Sequence, residues 1–383
     1  MINASAKGDL LMNTLAKKPA LLVGGIILGI GAAILAVSGN PGNMAFCIAC
    51  FVRDIAGAVK LHNAPPVEYF RPEIVGLVCG SMIISLGTKE FKVTAGQSPL
   101  LKFFLGAITM IMALVFLGCP LRMLIRMAAG DLNAYVGFVG YVCGCGIGTF
   151  FLKQNYDTGE AREIPSLSGY ILPLVLIAGL ILYVLDPFKV EDGKVVNALF
   201  NHSIAGPGSM HAAVHISLIV GIIFGAIAQK TRACFAGGIR NAFFMKDFDL
   251  LMPILGIFIT LLVFNVVRGT FNPSFIKQPI AHVDHVFNFV PMMGVGLCAV
   301  LAGGCPMRQL ILAGSGSADS ACNVLGMLVG AAFAHNFGLA SAASSFEGNV
   351  VTGGGPTPAG KVATIVCLVI ALIIGFANKE VKN

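Results

Sequence analysis

Tryptophan is absent from all 383 residues, and charge is scarce, with only 11% of the chain Asp, Glu, Lys or Arg. A water-soluble domain carries about 25% charged residues, so a soluble fold is excluded. With no Trp, any aromatic belt at a membrane surface must come from Tyr and Phe. Ten-residue alternating segments are also missing, which argues against a membrane β-barrel. No small-residue cleavage site stands out after Leu35, so no cleaved leader is expected. The Gly clusters lack a following Lys-Ser/Thr or a βαβ context, which removes nucleotide-binding loops. The net charge of +7 is modest and dispersed, unlike a nucleic-acid surface.

What is present is apolar helix. Hydrophobic residues make up 56% of the chain, in runs of helical length. The expected spans are 20–38, 72–88, 100–118, 132–152, 168–186, 211–229, 250–267, 287–303, 319–337 and 361–378. The fold class is an all-α polytopic membrane protein with about ten transmembrane helices. Residues 39–60 and 230–246 are apolar, Gly-rich and too long for turns. They read as re-entrant or broken helices, tolerated at membrane depth only when buried in protein or lining a cavity. Lys and Arg favour the N-terminal side of the spans, which puts the N-terminus in the cytoplasm.

The chain repeats itself. Phe46-Cys47 and Arg53-Asp54 align with Ala233-Cys234 and Arg240-Asn241. Gly118-Cys119-Pro120-Leu121-Arg122 aligns with Gly304-Cys305-Pro306-Met307-Arg308, and the same shift brings Gly130, Gly140 and Gly144 onto Gly316, Gly326 and Gly330. An odd number of spans separates equivalent points, so the second copy enters from the opposite face, as an inverted repeat. The expected organisation is a polar segment 1–19, a first repeat 20–188, a connecting loop 189–210 and a second repeat 211–378.

The two Gly-Cys-Pro-x-Arg segments carry the chemistry. Pro suits the first position of a helix, because its missing N–H would have had no partner there. The cysteine then caps a short helix, facing unpaired N–H groups and a positive dipole end that favour negative charge. Arg at the third position is the wrong charge for that dipole unless an anion sits there. The candidate binding residues are therefore Cys47, Cys119, Cys234 and Cys305, with Arg53, Arg122, Arg240 and Arg308. A charge at membrane depth is functional by default, although Arg122 and Arg308 could also snorkel to headgroups. Arg126 reads as snorkelling to headgroups or as pairing with Asp131.

Cys79, Cys298, Cys322 and Cys367 read as packing. Cys47-x-x-Cys50 lacks a βαβ unit, and no second Cys-x-x-Cys completes a zinc site. Cys143 and Cys145 suit packing in a crowded helix better than sulfur relay. The histidines 202, 211, 215, 282 and 285 fall in loops or at span ends. No metal or cofactor is expected.

Thr231-Arg232-Ala233-Cys234-Phe235 with Arg240, and the Gly-Cys segments at Cys119 and Cys305, resemble the YeeE/YedE family of membrane sulfur transporters. Gly118-Cys119-Pro120-Leu121-Arg122 with Gly130-Asp131-Leu132-Asn133-Ala134 is similar to its YedE branch, associated with selenium metabolism. The resemblance implies inverted repeats and uptake of thiosulfate or a related species across a bacterial inner membrane. Successive thiols would hold the cargo, falling on Cys47, Cys119, Cys234 and Cys305. Met44-Ala45 stands before Phe46-Cys47 where the pattern has Thr-Arg, which makes Cys47 the weakest match. A cytoplasmic TusA-like sulfur carrier is the implied partner.

The resulting reading is a transporter, not an enzyme, for a small sulfur- or selenium-containing anion. A membrane thiol oxidoreductase or sulfurtransferase is the alternative, but the chain devotes no domain to a redox partner. An assembly subunit would leave the repeated Cys-Pro-x-Arg unexplained. No intramembrane Asp or Glu marks a proton relay, which favours facilitated movement.

Overall fold

The computed structural model describes residues 4–191, 194–196 and 198–378. The first half of the chain holds α1 (Ala4–Val37), α2 (Ile48–Ala58), α3 (Pro72–Gly87), α4 (Pro99–Phe116), α5 (Pro120–Ala128), α6 (Leu132–Lys153) and α7 (Ile171–Val184). The second holds α8 (Val214–Lys230), α9 (Phe235–Met245), α10 (Met252–Val267), α11 (Val286–Leu301), α12 (Pro306–Gly314), α13 (Ala318–Asn336) and α14 (Pro358–Ala377). The chain is an all-α polytopic membrane protein, and the strands among the described residues form small two-stranded sheets. Residues 1–3 of the expected polar segment, and 192, 193 and 197 of the connecting loop, lie outside the described residues. α1 already begins at Ala4, so helix occupies most of that segment.

Among the described residues, nine helical stretches are long and apolar enough to cross a membrane. The expected span 319–337 exists as α13 but is not one of them. It carries Asp319 and Asn323, and both are buried against protein. Asp319 accepts from the Gly96 and Gln97 amides at 3.4 and 3.1 Å, and Asn323 Nδ2 donates to the Lys102 carbonyl at 2.8 Å. Polar groups in a span are affordable when they are satisfied this way.

Helices of one half pack on helices of the other. Glycines at the contacts carry the repeat. A Cβ on Gly140 would fall 2.2 Å from the Phe289 carbonyl, and one on Gly326 would fall 2.0 Å from that of Phe103. Gly144 and Gly330 are seated the same way on Met293 and Ala107. The aligned glycines therefore mark equivalent close crossings, α6 on α11 and α13 on α4. Gly144→Ala would push a methyl to 1.9 Å from the Met293 oxygen. The helix pair must part, and overpacking costs about 1–3 kcal/mol or more. A lower melting temperature in detergent is expected, and an unchanged one would mean the crossing is loose.

The equivalent helices α4 and α11 run antiparallel. His282, just before α11, bonds the Val115 carbonyl near the end of α4 at 2.9 Å, while Met112 lies against Gly294 further along. α1 and α8 do the same, with Gly24 against Thr231 and Gly31 against Val220.

The four short helices divide between two faces. α5 ends at Gly130 against Asn272, and α12 ends at Gly316 against Lys92. Both glycines have positive φ, +92° and +109°, and both face backbone that would clash with a Cβ. One face carries 268–286 together with 60–71 and 199–213, joined by Gly42 on Pro279, Gly39 on His211 and Tyr69 stacked on His211 at 4.0 Å. The other carries 88–98, where Glu90 pairs with Lys230 and Arg232. α3 crosses from the first face to the second. α2 and α5 thus belong to one face and α9 and α12 to the other, with their N-termini inward.

Candidate functional site

Each short helix begins on a cysteine. Cys47, Cys119, Cys234 and Cys305 are the N-caps of α2, α5, α9 and α12, all in extended conformation. Cys47 Sγ accepts from the Cys50 amide at 3.3 Å, and Cys234 Sγ from the Gly237 amide at 3.2 Å. Pro120 and Pro306 fill the first helical position behind the other two caps. The cap sulfurs therefore sit where helix dipoles concentrate positive potential.

The thiols come together two by two. Cys234 and Cys305 approach to 4.0 Å, sulfur to sulfur. Cys47 and Cys119 lie near each other at the equivalent place in the first half of the chain. Each pair joins the two short helices of one repeat. All four are buried.

The glycine before each Cys-Pro gives the arginine room to fold back. A Cβ on Gly118 would meet Arg122 Cδ at 2.7 Å, and one on Gly304 would meet Arg308 Cγ at 2.9 Å. The Gly-Cys-Pro-x-Arg string is thus a local unit, with the arginine doubling back over its own helix start.

The two cysteine pairs differ in how their arginines are held. Arg122 is fully buried, and each of its three nitrogens has an acceptor. It donates to the carbonyls of Asn43 at 3.0 Å, Leu117 and Ile280 at 2.9 Å, and to Cys50 Sγ at 3.2 Å. Asn43, Leu117 and Ile280 all have positive φ, a strained state for such residues that the guanidinium helps hold. Arg53 is paired with Asp54 at 2.6 Å, and Asp54 also holds Arg71 at 2.7 Å. Arg126 is paired with Asp131 at 2.7 Å. In the second repeat Asn241 replaces Asp54, and Arg240 donates to its amide oxygen at 3.2 and 3.1 Å. Arg308 donates to Gln229 at 2.9 Å. Neither Arg240 nor Arg308 has a carboxylate among these partners, and the same holds for Arg122 in the first half, whose partners are carbonyls and a thiol.

The remaining sequence candidates have structural partners. His282 seats on Val115, His202 on Asp186 at 3.0 Å, and His211 on Tyr69. Cys143 is exposed, while Cys145 is buried toward Gly296. Sequence reasoning missed Gln229, although a lone amide at the end of an apolar run was a usable signal. It also missed Arg71, whose role depends on a carboxylate 17 positions away. Tyr141 was passed over inside a run read as packing.

No curated protein matches this chain. Residues 230–382, spanning α9 to α14 with their pair Cys234 and Cys305, are similar to the family described as Sulphur transport.

Proposed function

We propose that this protein is a transporter for a small sulfur-containing anion, thiosulfate or a selenium analogue of it. The observation that carries the reading is the meeting of four short helix N-termini in two buried thiol pairs. Such N-termini bind anions with backbone N–H groups and dipole, and thiols suit a soft chalcogen atom. The antiparallel course of α4 and α11, and of α1 and α8, supports an inverted repeat in a bacterial inner membrane. The cytoplasmic face is then the one with the N-terminus, Lys230 and Arg232.

Cargo enters at Cys47 and Cys119 and passes to Cys234 and Cys305. Arg53 and Arg122 shape the first station, Arg122 through Cys50 and the loop carbonyls. Arg240 and Arg308, held only by amide oxygens, offer charge at the second. Dipole and arginine hold the oxyanion end, and thiols hold the soft atom by S–H···S contacts. Weak binding at successive stations permits release, where one tight site would trap the anion. A TusA-like carrier would receive the sulfur on the cytoplasmic side.

The test is competition in proteoliposomes. Excess sulfate is expected to leave labelled thiosulfate uptake nearly unchanged, whereas unlabelled thiosulfate suppresses it. Sulfate has equal charge and no soft atom. Equal suppression by both would show that charge alone is read, and the thiol mechanism would fall. Selenium analogues competing as well as thiosulfate would extend the cargo class.

A further inference from the structure

The second station contains a residue that the cysteines and arginines do not account for. Tyr141 lies on α6, fully buried. Cys145 lies one turn along the same helix, and Cys234 and Cys305 of the other half are close enough to interact electrostatically with its hydroxyl. Beyond a loose approach to the Cys145 thiol, its hydroxyl finds no hydrogen-bond partner among the described residues. A buried phenol hydroxyl normally finds one, and leaving it unmade costs free energy.

The placement is specific to one station. α6 belongs to the first repeat yet packs on α9 and α11 of the second, with Gly296 against the Tyr141 carbonyl. The equivalent position on α13 is Met327, also fully buried, which has no hydroxyl. Of these two equivalent positions, only the one on α6, which packs on the helix capped by Cys234, carries a hydroxyl.

We infer that Tyr141 is a specificity residue whose hydroxyl donates to an oxyanion oxygen of the cargo while it rests on Cys234 and Cys305. This rests on the transport reading above. The cargo class it selects is a small anion with a soft atom at one end and oxygens at the other. The thiols take the soft end, and the phenol and the arginines take the oxygens. A buried hydroxyl that can reach an anion discriminates strongly, since hydrogen bonds to charged groups are the stronger kind.

Tyr141→Phe tests this, because it keeps the ring and removes only the hydroxyl. The measurement is thiosulfate uptake into proteoliposomes over a concentration series, with thermal unfolding of the same preparations. The expected result is a rise of about tenfold or more in KM, with little change in melting temperature. Tyr141→Met, which copies the Met327 environment, should match Phe in KM. Unchanged KM in Tyr141→Phe would overturn the proposal while leaving the transport reading intact. A fall in maximal rate and melting temperature together, with KM unmoved, would show a packing role and also overturn it. Absence of thiosulfate uptake by the wild-type protein would overturn the transport reading itself, and this proposal with it.

Discussion

Cys119→Ala and Cys305→Ala are each expected to bring thiosulfate uptake close to background while the protein stays folded in the membrane. Both thiols are buried N-caps, and each is half of a pair. Removing one leaves a single thiol and a gap at its station. The stability loss should be about 1 kcal/mol, the scale of deleting one methylene-sized group. Cap geometry survives, because Pro120 and Pro306 still start the helices. Cys79→Ala and Cys367→Ala are the controls, since both are buried away from any cap. Uptake in proteoliposomes, normalised to folded protein, is the readout. Equal uptake by all four variants would remove the thiols from the mechanism.

The second large effect concerns charge. Asp54→Asn should cost about 3–5 kcal/mol, the usual penalty for leaving a buried charge without its partner. Asp54 is fully buried and holds two arginines, Arg53 at 2.6 Å and Arg71 at 2.7 Å. The guanidinium of Arg71 is also tied to the carbonyls of Pro207 and Met210, so it cannot swing out to water. Low folded yield and a lower melting temperature are expected. The reciprocal change, Asn241→Asp, should leave the protein folded and reduce uptake several-fold. It would give Arg240 a carboxylate and cancel charge that the second station offers to an anion. A stable Asp54→Asn would mean that the first station does not need its counter-charge. Undiminished uptake by Asn241→Asp would mean that the Arg240 charge is not used.

Several features were legible in the sequence because they are local or periodic. Scarce charge and long apolar runs dictate a helical membrane protein, since lipid leaves backbone groups no partner but their own helix. Gly118-Cys119-Pro120 and Gly304-Cys305-Pro306 announce helix starts, because proline at the first position and glycine before the cap are short-range requirements. Glycines 130, 140 and 144, aligned with 316, 326 and 330, mark close approaches of backbone, since such contacts tolerate no Cβ. Arg126 with Asp131, five residues apart, was one of two readings the sequence allowed, beside snorkelling, and the fold chose the pair.

Tertiary structure alone decided which thiol meets which. The sequence put four cysteines on helix starts, but the pairing of Cys234 with Cys305 spans 71 residues and depends on how α9 and α12 converge. It also decided that Arg122 and Arg308, identical in motif, differ in use. One is filled by carbonyls from loops as distant as Ile280, and the other has the Gln229 amide. Tyr141 needed the fold as well, because α6 reaches the second station only by packing across the repeat boundary. The physical reason is the same in each case. Helix and cap are set by neighbours within a turn, whereas partners for a buried charge or hydroxyl are set by which helices lipid and backbone sterics force together.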